Sequence, residues 1–109
     1  MTTNFKSKLV NELGSTPVEV LSSSPTAVTT VIGLSLTNLT DSIILSSVSL
    51  TNLAGTTAYF IRNVIIPPNQ SLRVINGGER LVLEASTSLS VEASADNSLD
   101  VVLSYVEIS

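Results

Sequence analysis

The sequence predicts an all-β fold: an antiparallel β-sandwich of about eight short strands, jelly-roll-like, with a short N-terminal helix or extended arm in front of it. Three observations lead there. Apolar and polar residues alternate with period two over several runs, as in strands with one buried face. Turn-forming clusters of Pro, Gly, Asn, Asp and Ser punctuate the chain every 8–14 residues. No long stretch shows the 3.6-residue period of an amphipathic helix.

The first segment, Thr2 to Leu13, has two readings. Phe5, Leu9 and Leu13 recur every four residues and Val10 joins them, with Gly14 placed as a helix stop. That spacing suits a short helix with one apolar face. The same residues suit an extended arm lying on a neighbouring subunit. Residues 1–14 are accordingly set apart from a sandwich domain at 15–109, and losing 1–13 is expected to leave that domain folded.

Pro17–Leu21 is the first predicted strand, closed by Ser22-Ser23-Ser24-Pro25. Ala27–Leu39 alternates next: Val28, Thr30, Ile32, Leu34 and Leu36 fall on one face, and Thr29, Gly33, Ser35 and Thr37 on the other. Asn38–Ser42 turns the chain into a strand carrying Ile44, Ser46, Val48 and Leu50 on one face. Asn52–Thr57, with Gly55, turns it again.

The stretch from Ala58 to Ser86 reads as three consecutive antiparallel strands: Tyr59–Ile66, Leu72–Ile75 and Leu81–Glu84. The turns between them are Pro67-Pro68-Asn69-Gln70 and Asn76-Gly77-Gly78. Leu89–Ala93 and Leu99–Ile108 complete the set across Ala95-Asp96-Asn97-Ser98. In the last strand Leu99, Val101, Leu103 and Tyr105 share one face, while Val102, Val106 and Ile108 occupy the other. A strand with one face in water is not expected to be apolar on both. It is therefore either central and covered, or in contact with another subunit.

Composition narrows the function. Of 109 residues, 43% are hydrophobic and 13% charged, where a charged share of about 25% is usual. Ser and Thr fill 30 of the 109 positions. So weakly ionic a surface suits a protein whose surface is shared with other subunits. Lys6, Lys8, Arg62, Arg73 and Arg80 are the cations, and the net charge of −4 argues against nucleic acid as a partner. Val20–Thr40 and Ser42–Ile61 lack charge, but nine of the 21 residues in the first are Ser or Thr, so no membrane partner is expected. The start, MTTNFKSKLV, has no apolar core of a secretory signal.

No cofactor, metal or catalytic site is expected. The chain has neither Cys nor His, which removes disulfides, thiolate ligands and the usual base near neutral pH. Glu12, Glu19, Asp41, Glu79, Glu84, Glu92, Asp96, Asp100 and Glu107 read as solvated surface. Asp96, Asn97 and Asp100 could hold calcium through oxygen ligands, but an Asp/Asn turn is the simpler reading. Asn76-Gly77-Gly78-Glu79-Arg80 lacks the Lys-Ser/Thr pair of a phosphate loop. The subunit-contact candidates are Phe5, Leu9, Val10, Leu13, Tyr59, Arg62, Arg73, Val106 and Ile108. The two arginines interrupt apolar strands, either laid along the sheet or paired with a carboxylate of another subunit.

Several phrases together resemble a known group. NFKSKLV, VIGLSLTN, VIIPPNQSLRVI, GGERLVLEAS and SADNSLDVVLSYVEI, between Asn4 and Ile108, are similar to small Ser/Thr-rich virion structural proteins of tailed bacteriophages, of the cyanophage and marine-phage type. The resemblance implies a β-sandwich building block, made in the host cytoplasm and located in the virion. Its expected partners are copies of itself, as a homo-oligomer with trimers the first guess, and other virion proteins such as the major capsid protein. Head decoration or cement is the leading role; a tail, neck or fibre-base adaptor is the alternative. A carbohydrate-binding module is the rival of another class, disfavoured by four aromatic residues, and an enzyme ranks last.

Overall fold

The computed structural model describes residues 3–75 and 80–108. Those residues form nine strands and no helix. They are β1 (Thr3–Leu13), β2 (Val18–Ser22), β3 (Val28–Asn38), β4 (Ile44–Thr51), β5 (Thr57–Ile66), β6 (Ser71–Ile75), β7 (Leu81–Leu83), β8 (Ser88–Ala93) and β9 (Leu99–Ile108). All described pairings are antiparallel. The first sheet runs β1-β9-β3-β6, with β7 also paired to β3; the second runs β2-β8-β4-β5. A single apolar cluster, with Val31, Leu34, Leu36, Leu99 and Leu103 from the first sheet and Val20, Ile44, Val48, Leu89 and Val91 from the second, lies between them. Burial of these aliphatic side chains supplies the main favourable term in folding.

The N-terminal helix is not present. Thr3–Leu13 is a strand laid along β9 of the same chain, in register from Thr3↔Ile108 to Val10↔Val101 and again at Leu13↔Leu99. The four-residue recurrence of Phe5, Leu9 and Leu13 mimics a helix stripe, yet the three do not share a face. Phe5 and Leu9 point out, and a bulge between Val10 and Leu13 turns Leu13 into the core, where it is 3% exposed.

The Ala58–Ser86 stretch does not form three successive hairpin-paired strands. β5 pairs with β4 in the second sheet, whereas β6 and β7 lie end to end along β3 in the first. The turn after β5 is where expected: the Gln70 amide donates to the Pro67 carbonyl at 3.3 Å, and Asn69 sits at φ 56. It carries the chain between sheets. The Asn76-Gly77-Gly78 turn, with Glu79, lies outside the described residues.

In β3 the expected facing holds only from Leu34 onward. A register break against β9 between Val31 and Gly33 reverses the earlier half, so Thr29 and Val31 are buried and Val28 is exposed. Buried Thr29 and Ser23 satisfy one another, Thr29 Oγ1 to Ser23 Oγ at 3.3 Å, and Ser23 donates to the Ala27 carbonyl at 2.8 Å. No buried side-chain nitrogen or oxygen among the described residues lacks a partner. The few polar side chains in the interior are thus satisfied by hydrogen bonds.

β9 has the two-faced pattern expected of it, and it is central, flanked by β1 and β3. Leu103 is fully buried and its neighbour Val102 is 45% exposed. Leu103→Ala is expected to cost ~2–5 kcal/mol through lost burial and a residual cavity, and Val102→Ala under ~1 kcal/mol. Urea titration of the two variants checks the alternation; equal losses would show that β9 is covered on both faces.

Candidate functional interface

The outward face of the first sheet carries one group of uncovered apolar residues; others lie on and beside β5 and in the turns at Leu39, Ile43 and Leu53. Cross-strand register arranges them in rows. Ile108 stands beside Val28, and Phe5 beside Val106, Thr30 and Val82. A row of small residues follows, Ser7 beside Ser104 and Gly33. Then comes Leu9 beside Val102 and Ser35, with Arg73 on β6. Phe5 is 78% exposed and Leu9 72%; Val82, Val102, Val28 and Ile108 are exposed as well.

Two shallow grooves lie on this face. One is lined by Phe5, Thr30, Ile32, Arg80, Val106 and Ile108. The other is lined by Gly33, Ser35, Arg73, Val102 and Ser104, among others. The small-residue row makes the trough. Gly33 is not sterically required there, since an added Cβ would meet Ser104 Cβ at 3.8 Å, an ordinary contact.

The second sheet contrasts with it. Its outward positions include Glu19, Ser47, Ser49, Ser90 and Glu92. Polar side chains there also serve the sheet itself: Ser47 Oγ accepts the Asn63 amide at 2.9 Å, holding Asn63 at φ 50 in a bulge. Its exposed apolar residues, Leu45, Tyr59, Phe60 and Ile65, collect at and beside the β5 edge. The Arg62 guanidinium stacks over the Tyr59 ring at 5.2 Å.

The nine contact candidates therefore separate. Phe5, Leu9, Val106, Ile108 and Arg73 fall on one face of the first sheet. Tyr59 and Arg62 form a second patch on β5. Leu13 is a core residue, and Val10 is half-buried against the core. Val102 belongs with the first patch and was legible from the alternation of β9. Val28, Ile32 and Val82 also belong to it; the bulge in β3 hid Val28 from a simple period-two count.

Asp41, Asp96, Asp100 and Glu107 have structural partners. Asp96 Oδ1 accepts the Ser15 hydroxyl at 3.0 Å, and Asp100 Oδ1 accepts the Glu12 amide at 3.1 Å. Gly14 sits against this corner, where an added Cβ would stand 3.1 Å from Asp96 Oδ1 and 3.2 Å from Asp96 Cα. No group of three His, Cys, Asp or Glu that could hold a metal occurs among the described residues. One ion pair is formed among them, Lys6 Nζ to Glu107 Oε1 at 3.5 Å.

No family model matches the chain, and no curated protein does. Solved structures with a similar fold do exist. A chain of the T13 particle of infectious bursal disease virus is 12% identical with a TM-score of 0.54, over 96% of this chain and 30% of that one. A chain of the Gx strain of that virus is 9% identical with a TM-score of 0.51, over 95% of this chain and 32% of that one. This chain thus spans about a third of the length of those viral chains. A subunit of the Bacillus endospore appendages, described as disulfide-linked pili, is 7% identical with a TM-score of 0.57, over 99% of this chain and 88% of that one. At these identities the likeness is one of fold.

Proposed function

We propose that this protein is a non-enzymatic virion structural subunit of a tailed phage, and that it decorates the head, cementing the shell through contacts with copies of itself and with the major capsid protein. The apolar outward face of the first sheet is the observation that carries this reading. Six exposed apolar residues arranged in rows on one sheet face suit a surface that is covered on assembly, and burying Phe5 or Leu9 there would contribute ~1.5–3 kcal/mol each. Repetition over many symmetric sites turns such modest contacts into firm attachment.

The strand order supports a jelly roll. β1 pairs β9, β2 pairs β8, β3 pairs β7 and β6, and β4 pairs β5, which is one long antiparallel ribbon wrapped into two sheets. The folds shared with the viral-particle chains fit the same use. The cyanophage-type resemblance from Asn4 to Ile108 supplies the phage assignment.

A tail, neck or fibre-base ring component is the second reading. It is favoured by the near-complete span of the endospore-appendage subunit, whose appendages are disulfide-linked pili. Without cysteine, this chain would join such an array by non-covalent contacts.

Quantitative mass spectrometry and antibody labelling of purified particles test the proposal. Hundreds of copies with label over the head are expected. Label confined to the tail at six or twelve copies would replace it with the second reading, and absence from particles would end both. Val102→Asp, placed in the middle of the face, is expected to leave the fold intact and to remove the protein from particles.

A further inference from the structure

An exposed sheet edge invites addition of a further strand, and proteins commonly guard against it with short strands, bulges, proline or charge. Here β2 is five residues long and breaks register between Glu19 and Leu21. β5 breaks register twice against β4. β6 and β7 have five and three residues. β1 is different: from Thr3 to Val10 it stays in unbroken register with β9, without proline or bulge, and the guard it carries is the charge of Lys6 and Lys8. Among the described residues no strand lies beside its other edge.

The cross-strand rows also stop there unfinished. They end at β1 in Phe5 and Leu9, each flanked by β9 on one side and by no other strand of the described residues on the other. Lys6 and Lys8 alternate with them on the opposite face, opposite Tyr105 and Leu103. These are two of the five cations in a chain of net charge −4. Lys6 reaches Glu107, while Lys8 forms no ion pair among the described residues.

We propose that the free edge of β1 receives an extended segment of a different protein, patterned apolar–acidic–any–acidic–apolar. Its apolar residues would complete the rows at Phe5 and Leu9, and its carboxylates would stand opposite Lys6 and Lys8. Cross-strand pairs of this kind stabilise a sheet, and like charges directly opposite destabilise it. Main-chain hydrogen bonds supply the affinity, and the alternating side chains supply the selectivity.

No segment of this chain has that pattern, because no two of its nine carboxylate residues stand two positions apart. Pairing β1 with β1 of a second copy about Ser7 would set Lys6 against Lys8 twice. The β5 edge carries Arg62 and no acid. In this register, the one that would set Phe5 against Leu9 and complete the rows, the lysines repel a second copy and select an acidic strand. The inference rests on the assembly reading only in needing a partner chain, and its test needs no particle.

The test is a fluorescence-anisotropy titration of the full chain against two labelled nonapeptides, one centred on Val-Glu-Thr-Glu-Val and one on Val-Lys-Thr-Lys-Val. Saturable binding of the acidic peptide is expected, at least tenfold tighter than the basic one, with new amide-exchange protection along Thr3–Val10. The double variant Lys6→Glu/Lys8→Glu, with circular dichroism and melting like the parent, should invert the preference. Binding of neither peptide, equal binding of both, a preference unchanged in the double variant, or protection appearing on β5 would overturn the proposal. Absence of the protein from virions would end the phage reading and leave the peptide result standing.

Discussion

Deleting residues 1–13 is expected to unfold the protein or leave it insoluble, and not to release a detachable arm. β1 pairs with β9 at nine positions and places Leu13 in the core, with Val10 packed against it. Burial of a leucine alone contributes ~1.5–3 kcal/mol, and the lost ladder adds to that. A domain of this size is stable by only about 5–15 kcal/mol. The deletion also bares β9 as a long edge, apolar on both faces, which templates aggregation. Thermal melting by circular dichroism with size-exclusion chromatography decides it. A soluble monomer melting within a few degrees of the parent would show that β1 is an accessory arm and that residues 15–109 stand alone.

The second large effect is expected at Asn38, a polar side chain that is 1% exposed. Its Nδ2 donates to the carbonyls of Ser42 at 2.8 Å, Ile66 at 3.0 Å and Pro67 at 3.2 Å. Its Oδ1 accepts the Thr40 amide and hydroxyl, both at 2.8 Å. One amide therefore ties the β3–β4 turn to the end of β5, and so one sheet to the other. Asn38→Ala leaves buried backbone groups without partners, at about 1–3 kcal/mol per unsatisfied group.

Asn38→Asp tests the geometry more sharply. It keeps the acceptor for Thr40 but aims a carboxylate at three carbonyl oxygens. The folded state then favours the protonated acid, raising the introduced group's pKa above its unfolded value. Folding is therefore penalised at neutral pH, and the penalty shrinks as pH falls toward the unfolded carboxylate range. Urea titrations at neutral and mildly acidic pH check this. A variant as stable as the parent at neutral pH would mean that Asn38 is not the clasp these distances describe.

Much of the fold was legible locally. Period two marked the strands from β2 to β9, because each has one face in the core. Proline and asparagine marked the turn at Pro67–Gln70, because they favour its dihedrals wherever it occurs. The mismatch of Val102, Val106 and Ile108 with a solvated face was also legible, and in the structure these residues share the outward face of the first sheet. Asn38 was legible only as a turn residue. Its burial depends on Ile66 and Pro67, which are remote in sequence.

By itself, the sequence determined an all-β chain, the positions of most strands and turns, and the lack of cysteine and histidine chemistry. These follow from local sterics and from composition. Only the tertiary structure decided that Thr3–Leu13 is a strand, that β5 and β6 lie in different sheets, and that β6 and β7 share β3. A turn sets where the chain reverses, whereas the partner of each strand is chosen by long-range hydrogen bonding and by closure of one core between two sheets. The same closure leaves the outward face of the first sheet apolar and the β1 edge free.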